Sequence, residues 1–367
     1  MRVRPTKIAF GLVGGAVILF GVGTNVQAGW VLVLAAMLLG ICAAGAVLPF
    51  VALRGVVVER EAPATARAGE AVPVSVTVRN ASRGLRGLVG VRDSFCGEGW
   101  AVVDVLRPGQ ARRFTDRRTG ARRGVYTGGP VGLATGAPFG VAVAWKDIEV
   151  ATTTVVHPRV FPARVPDALG RTAVAVRTPS GDISGVREYR SGDQLRHVHW
   201  RSTARRGELV VREFTEEDRG DLTIVVDAPH DPDTADAVAS VACSIARAAL
   251  GRGREVELRS GAGTVSATSP AVADDWGARL QPGGPGVEEL LARGVRDALV
   301  VVIAAEERNA AAVSRLTAMS PSVVVLVDPD GREGARRVAA SFGATLSASG
   351  HDVQVIPVAE DLSPWLR

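Results

Sequence analysis

The sequence predicts three parts in series: an N-terminal transmembrane helical hairpin, an all-β immunoglobulin-like sandwich and a C-terminal α/β doubly wound domain. Three observations carry this. Residues 8–53 contain no Asp, Glu, Lys or Arg. Residues 56–160 alternate apolar and polar side chains in short runs, cut by Gly and Pro at a spacing of about ten residues. Residues 222–358 alternate short Val/Leu/Ile runs with stretches of helical periodicity.

A chain of 367 residues is long for one domain. The composition shifts divide it into residues 1–55, 56–160, 161–220 and 221–367. Hydrophobic residues make up 47% and aromatics 5%, so the cores must rest on Val, Leu and Ala. The net charge is +5, yet Lys occurs only at Lys7 and Lys146. A basic set that is Arg but for two Lys, with abundant Ala, Gly and Val, matches high-GC bacterial coding, so the charge does not by itself indicate nucleic acid. There is no aromatic-plus-basic platform and no zinc-finger spacing, and no nucleic-acid partner is expected. Cys42, Cys96 and Cys243 are too few and too scattered for a disulfide framework, which favours a reducing compartment.

Residues 8–26 and 30–53 are each about as long as the 20 or so residues that cross a bilayer. The uncharged T-N-V-Q-A-G between them reads as the hairpin turn, with Trp30 placed as an interfacial aromatic. A cleaved signal peptide is the rival reading. The second run argues against it, since that run would still span. Arg2, Arg4 and Lys7 precede the first span, and Arg54 and Arg60 follow the second. By the positive-inside rule both ends face the cytoplasm, which makes this a two-span plasma-membrane protein with a cytoplasmic body.

In the β-rich part, residues 72–80 (V-P-V-S-V-T-V-R-N) have period 2 and end on a turn signal. Residues 85–93, 111–119, 125–133 and 148–156 are further strand candidates. This region holds no paired carboxylates and no nucleophile–base pair. In the C-terminal part, strands are expected at 222–227, 255–259, 298–304, 322–328 and 353–358. Helices are expected at 234–251, 287–293, 307–319 and 334–342. Val238, Val241, Ala242 and Ile245 give the first of these helices its apolar face.

Between them, residues 182–214 read D-I-S-G-V-R-E-Y-R-S-G-D-Q-L-R-H-V-H-W-R-S-T-A-R-R-G-E-L-V-V-R-E-F. The stretch from Gly185 to Glu213 has seven Arg and four acids. Arg supplies planar forks for carboxylates, and Tyr189 and Trp200 supply rings on which guanidinium groups stack. Three readings stay open: an internal ion-pair network, an exposed docking surface, and a phosphate site, the last lacking any glycine-rich cradle. His197 and His199 would share a face on a strand, but no third metal ligand is near. No nucleophile-elbow sequence surrounds Ser202.

This segment resembles the domain of unknown function 58 family. The resemblance rests on Gly185, Arg187, Glu188, Tyr189, Gly192, Asp193, Arg196, Trp200, Ala204, Arg205, Leu209, Arg212 and Glu213 in register, with Val198 at an Ile position. R-G-V-Y-T-G-G-P from Arg123 and A-P-F-G from Ala137 are similar too, although the family usually has Asp where Ala137 stands. The resemblance implies that the C-terminal domain is von Willebrand factor A-like. That fold often holds a divalent metal through D-x-S-x-S; here the stretch is D-A-P-H-D. Asp227 is kept, while Pro229 and Asp231 take the Ser positions, and A-A-E-E follows the later strand where Asp-Gly is usual. Asp227 and Asp231 are thus remnants of a degenerate metal site, with Asp227 expected to cap a helix or order its loop. No cofactor is expected.

What the resemblance implies is a non-enzymatic, membrane-anchored scaffold that works with a MoxR-type AAA+ ATPase in an envelope, stress or complex-assembly process. Arg187, Glu188, Tyr189, Gly192, Asp193, Arg196, Trp200, Arg205 and Arg212 are then the candidate docking residues. The alternatives are a divalent-metal-dependent ligand-binding module and, more remotely, a hydrolase using His197 or His199.

Overall fold

Two long helices lead the structure, a computed structural model that describes residues 1–163, 183–189, 198–214, 221–282, 285–293, 298–319, 322–328, 333–358 and 362–366. The chain divides into two compact units, Met1–His157 and Pro158–Arg367.

In the first unit, α1 (Lys7–Asn25) and α2 (Gly29–Ala52) form the hairpin, and both are apolar and long enough to cross a membrane. Most of their large side chains point outward, among them Phe10, Ile18, Phe20 and Met37. Small residues line the seam. Ala9, Ala16 and Gly23 are buried on α1, and a Cβ at Gly23 would meet Leu32 at 2.9 Å. Close backbone approach through small residues is how helices associate where water gives no hydrophobic drive.

Two β-sheets follow, packed as an antiparallel sandwich. One holds β2 (Val56–Glu61), β4 (Val72–Asn80) and β7 (Ala111–Arg118) in the order β2-β4-β7. The other contains β5 (Arg86–Asp93), β6 (Gly99–Leu106), β8 (Gly124–Thr135) and β9 (Ala142–His157). Its order is β1-β9-β8-β5-β6, where β1 (Arg2–Pro5) is the chain's N-terminal strand, and β3 (Thr65–Arg67) runs parallel to β9. Val58, Val76, Val78, Val91, Val103 and Leu133 from both sheets form one core, as period-2 burial requires. The strand expected at 148–156 is the second half of β9, which is longer because β8 continues to pair with it as far as Ala144. Neither β1 nor β6 is apparent from the sequence. The first is short and charged, and β6 exposes Trp100, Val102 and Val105 on an edge, breaking the alternation.

The second unit has a six-stranded sheet built from β12 (Leu222–Val226), β13 (Val256–Ser260), β14 (Gly263–Ala267), β15 (Ala298–Ala304), β16 (Val323–Asp328) and β17 (Asp352–Pro357). The order is β14-β13-β12-β15-β16-β17, all parallel except β14. Alternate residues of β12 face opposite layers. Leu222, Ile224 and Val226 pack with helices α4 (Pro232–Gly251) and α5 (Pro270–Arg279), while Val225 faces α6 (Val287–Ala292), α7 (Ala310–Thr317) and α8 (Glu333–Ala348). Helices on both faces of a mostly parallel sheet make it doubly wound. The sequence reading ends α8 at Phe342; the helix runs on to Ala348 because Leu346, one turn later, falls on the same buried face.

Candidate functional site

Two places in the second unit bear on function: the Arg-rich segment and the carboxyl ends of β12 and β15.

The Arg-rich segment contains β10 (Ile183–Glu188), a short helix α3 (Trp200–Arg206) and β11 (Val210–Phe214). The strands pair antiparallel, with Arg187 opposite Val211 and Glu188 opposite Val210, and Val198 bridges to Val211 on the other side. Arg212 lies on β11 opposite Val186. Val198, Val210 and Val211 are buried, the adjacent Val210 and Val211 on opposite faces of β11. The Tyr189 amide donates to the Leu209 carbonyl at 2.9 Å, extending the backbone pairing one step beyond the two strands. His199 caps α3: its Nδ1 accepts from the Ser202 amide at 3.2 Å and lies 2.8 Å from the Ser202 hydroxyl. Gly207 ends the helix with φ +76°, the left-handed conformation that favours glycine. The Thr203 hydroxyl accepts from the Val210 amide at 3.1 Å and ties helix to strand.

This local frame holds Trp200 outward. It is 65% exposed, with Arg201 and Arg205 exposed on the same short helix and Leu209 exposed beyond it. Gly192, Asp193, Arg196 and His197 lie outside the described residues. His199 and Ser202 are joined as a helix cap through an i, i+3 contact, a sequence-local geometry that His, like Asn or Ser, can supply.

The second place is the crevice where strand order reverses between β12 and β15, the usual ligand position in open α/β sheets. Asp227 follows β12 there and is buried. Its Oδ2 accepts from Arg308 Nη2 at 2.6 Å and from Asn309 Nδ2 at 2.9 Å. Asn309 Nδ2 also donates to the Ala304 carbonyl at 2.8 Å. Glu306 accepts from Arg308 Nε. Burial works against the Arg308 charge, but the Glu306 and Asp227 carboxylates more than offset it, so its pKa rises above the ordinary value.

Asp231 is occupied elsewhere. It caps α4, its Oδ2 accepting from the Thr234 amide at 2.8 Å and from the Thr234 hydroxyl at 2.5 Å. The helix cap expected of Asp227 therefore belongs to Asp231, and Asp227 orders the loop after β15. The D-P-D-T run held the signal, since Asp before a Pro at the first helical position marks a cap. The residues do not fit a divalent ion. Asp227 already holds a guanidinium and an amide, Pro229 offers no side-chain oxygen, and Asp231 is committed to a helix end. Among the described residues no group of three His, Cys, Asp or Glu is placed to hold one. The Arg308 and Asn309 pair was missed from sequence; only its place just after a buried strand hinted at it.

Residues 185–275 match the family model described as "Protein of unknown function DUF58". The match covers about a quarter of the chain, from β10 into α5; it takes in the Arg-rich segment and Asp227, and ends before β15, Arg308 and Asn309. No curated protein matches. Among solved structures, the CARDB domain of a Pyrococcus furiosus protein is 18% identical, over 26% of this chain and 94% of that one, with a TM-score of 0.19. The alkylpurine DNA glycosylase AlkC of Pseudomonas fluorescens is 14% identical, over 38% and 42%, at 0.18. An exo-β-N-acetylglucosaminidase of Vibrio harveyi is 8% identical, over 83% and 75%, at 0.20. At such scores neither fold nor function is carried across.

Proposed function

We propose that this chain is a membrane-anchored, non-enzymatic interaction protein whose body receives a MoxR-type AAA+ ATPase on its cytoplasmic side. The observation that carries the reading is the presentation of Trp200. A large aromatic held outward by a capped helix, beside Arg201 and Arg205, has the composition of an interface centre. Arg187 and Arg212 lie on the paired strands β10 and β11, and Tyr189 directly follows β10. Anchoring is supported by β1. It pairs with β9, so the chain's start and the sandwich stand at the same end of the helical hairpin. The Arg and Lys residues at that end favour the cytoplasm.

A von Willebrand factor A-like identity for the second unit is supported by its strand order and its single antiparallel edge strand β14. The metal-dependent alternative loses its support where Arg308 and Asn309 take up Asp227. The hydrolase alternative is weakened by the capping role of His199.

The test is affinity purification of the detergent-solubilised full chain with quantitative mass spectrometry. A AAA+ ATPase should be recovered from the native host. The double variant Trp200→Ala/Arg205→Glu should lower that recovery at least tenfold without changing thermal stability. Unchanged recovery would remove the docking role of α3; no ATPase with the native chain would remove the partner.

A further inference from the structure

The end of the sandwich next to the helices is unlike its other end. By strand register, the end of β1, the end of β8, the start of β9 and the start of β5 all lie there (Pro5 opposite Ala142, Thr135 opposite Ala144, Gly90 opposite Ala134). The exit of α2 is bound to the same end. The Gly55 carbonyl accepts from the Ala81 amide at 2.8 Å, and the Arg54 carbonyl accepts from Arg86 Nε at 3.1 Å.

The β8–β9 turn reaches further still and lies alongside the helices. The Thr6 amide and hydroxyl, just before α1, donate to the carbonyls of Val141 at 2.9 Å and Gly140 at 2.6 Å. Val141 packs on Gly45 so closely that a Cβ at position 45 would lie 2.7 Å from it. Gly45 is about two turns before the end of α2 at Ala52, roughly 10 Å of helix rise. If α2 spans a bilayer, that turn overlaps the span by about the depth of the headgroup layer.

The side chains suit that depth. Phe139 at the tip of the turn is 46% exposed, and Leu85 and Leu88 are 66% and 55% exposed. Leu88 has φ +51°, unusual for a branched residue, and sits where β5 and β6 skip a pairing. The register is the same on either side, so the left-handed turn at Leu88 is a local kink in the strand, and its side chain is exposed. Arg54 stacks its guanidinium over Phe50 at 4.5 Å, and Arg83 is exposed beside Leu85. Apolar tips among arginines are the pattern of an interfacial contact. At the opposite end the β5–β6 connection instead exposes the Arg92–Glu98 ion pair.

We propose that this end of the sandwich is a lipid-contact surface. Phe139, Leu85 and Leu88 enter the headgroup–acyl boundary, and Arg54, Arg83 and Arg86 meet anionic headgroups. The sandwich is thereby seated on the bilayer, not suspended from it. The inference rests on α1 and α2 being spans, and the test separates the two.

In a Cys42→Ala background, with Cys96 and Cys243 buried, nitroxide labels go onto Phe139→Cys, Leu85→Cys and Leu88→Cys. Glu98→Cys and Phe20→Cys provide a far-end and a within-span control. The full chain is reconstituted in phosphatidylcholine–phosphatidylglycerol vesicles, and relaxation by oxygen is compared with relaxation by a water-soluble nickel chelate. Labels at 139, 85 and 88 should favour oxygen several-fold over the label at 98. Replacing phosphatidylglycerol with phosphatidylcholine, or adding Arg83→Gln/Arg86→Gln, should shift the labels at 85 and 88 toward water. Labels at 139, 85 and 88 as water-exposed as 98, with 20 in lipid, would overturn the seating while leaving the anchor. A water-exposed label at 20 would overturn both. Oxygen preference unaffected by lipid charge would overturn the arginine role.

Discussion

At the scale of single residues, the largest structural commitment is the carboxylate of Asp93, at the end of β5. Its Oδ1 accepts from Arg60 Nη2 at 2.6 Å, and its Oδ2 is 2.9 Å from Arg118 Nη2. All three side chains are almost fully buried, and they come from β2, β5 and β7, so the pair of salt bridges fastens one sheet to the other. Arg60 also lies over the Phe95 ring at 4.7 Å, and Arg118 donates to the Phe95 carbonyl. Nothing in the sequence marks Asp93 among the chain's acids, because its partners are remote in sequence and only sheet pairing brings them together. Asp227 was conspicuous for the opposite reason, being the acid after a buried strand, but its partners were equally hidden. Removing one member of a buried ionic group leaves the rest charged and unsatisfied. Asp93→Ala should therefore cost about 3–5 kcal/mol. Glu98→Ala, which breaks an exposed pair, should cost less than about 1 kcal/mol. Thermal unfolding in detergent measures both, and equal losses would show that Asp93 is not a fastener. Cys96 sits beside this cluster. Burial, opposed by Arg118, pushes its thiol up to about 11, so it stays protonated and unreactive at neutral pH.

At the scale of elements, legibility followed how strictly each segment obeys one period. The strand at Val72–Asn80 was legible to the residue because its valines alternate and its end is a turn sequence. The parallel strands β12, β15 and β16 were legible because both of their faces are buried and they are apolar throughout. β14 and α5 went unread. β14 is a polar edge strand, and α5 is short, with an exposed first turn and a weak apolar stripe. β10 and α3 were legible as a motif but not as structure, since their order comes from cross-strand pairing and a His cap. For α4 the apolar face was plain; of the two roles expected of Asp227, the helix cap falls to Asp231 and the loop ordering stays with Asp227. Asp231→Ala should destabilise the chain by about 1 kcal/mol, a typical loss for a capping carboxylate. Asp231→Asn should retain most of it. If Ala and Asn behave alike in thermal unfolding, the hydroxyl and amide of Thr234 do not depend on this cap.

At the scale of the whole molecule, the N-terminal strand turns a question of charge counting into one of connectivity. Lys and Arg flanks alone give an orientation; the pairing of Arg2–Pro5 with β9 ties the start of the chain to the sandwich whichever way the hairpin points. If the helices cross a bilayer, this pairing requires an even number of crossings, because a single one would place β1 and β9 on opposite sides. With α1 and α2 as spans, the proposed topology puts the hairpin turn at Gln27 across the membrane from Glu98. Single cysteines at these two positions, in the Cys42→Ala background, should react in opposite sequence with a membrane-impermeant maleimide. In intact cells Gln27→Cys should label and Glu98→Cys should not; after permeabilisation both should label. The mirror pattern would keep the two-span fold but put the body outside, beyond the reach of a cytosolic ATPase, and would end the proposed partnership. Labelling of both in intact cells would deny the crossing altogether. The lipid-contact surface makes a linked demand. If the sandwich is seated on the inner leaflet, Leu85→Cys should stay unlabelled in intact cells and react more slowly than Glu98→Cys once the membrane is opened, because the headgroups shield it.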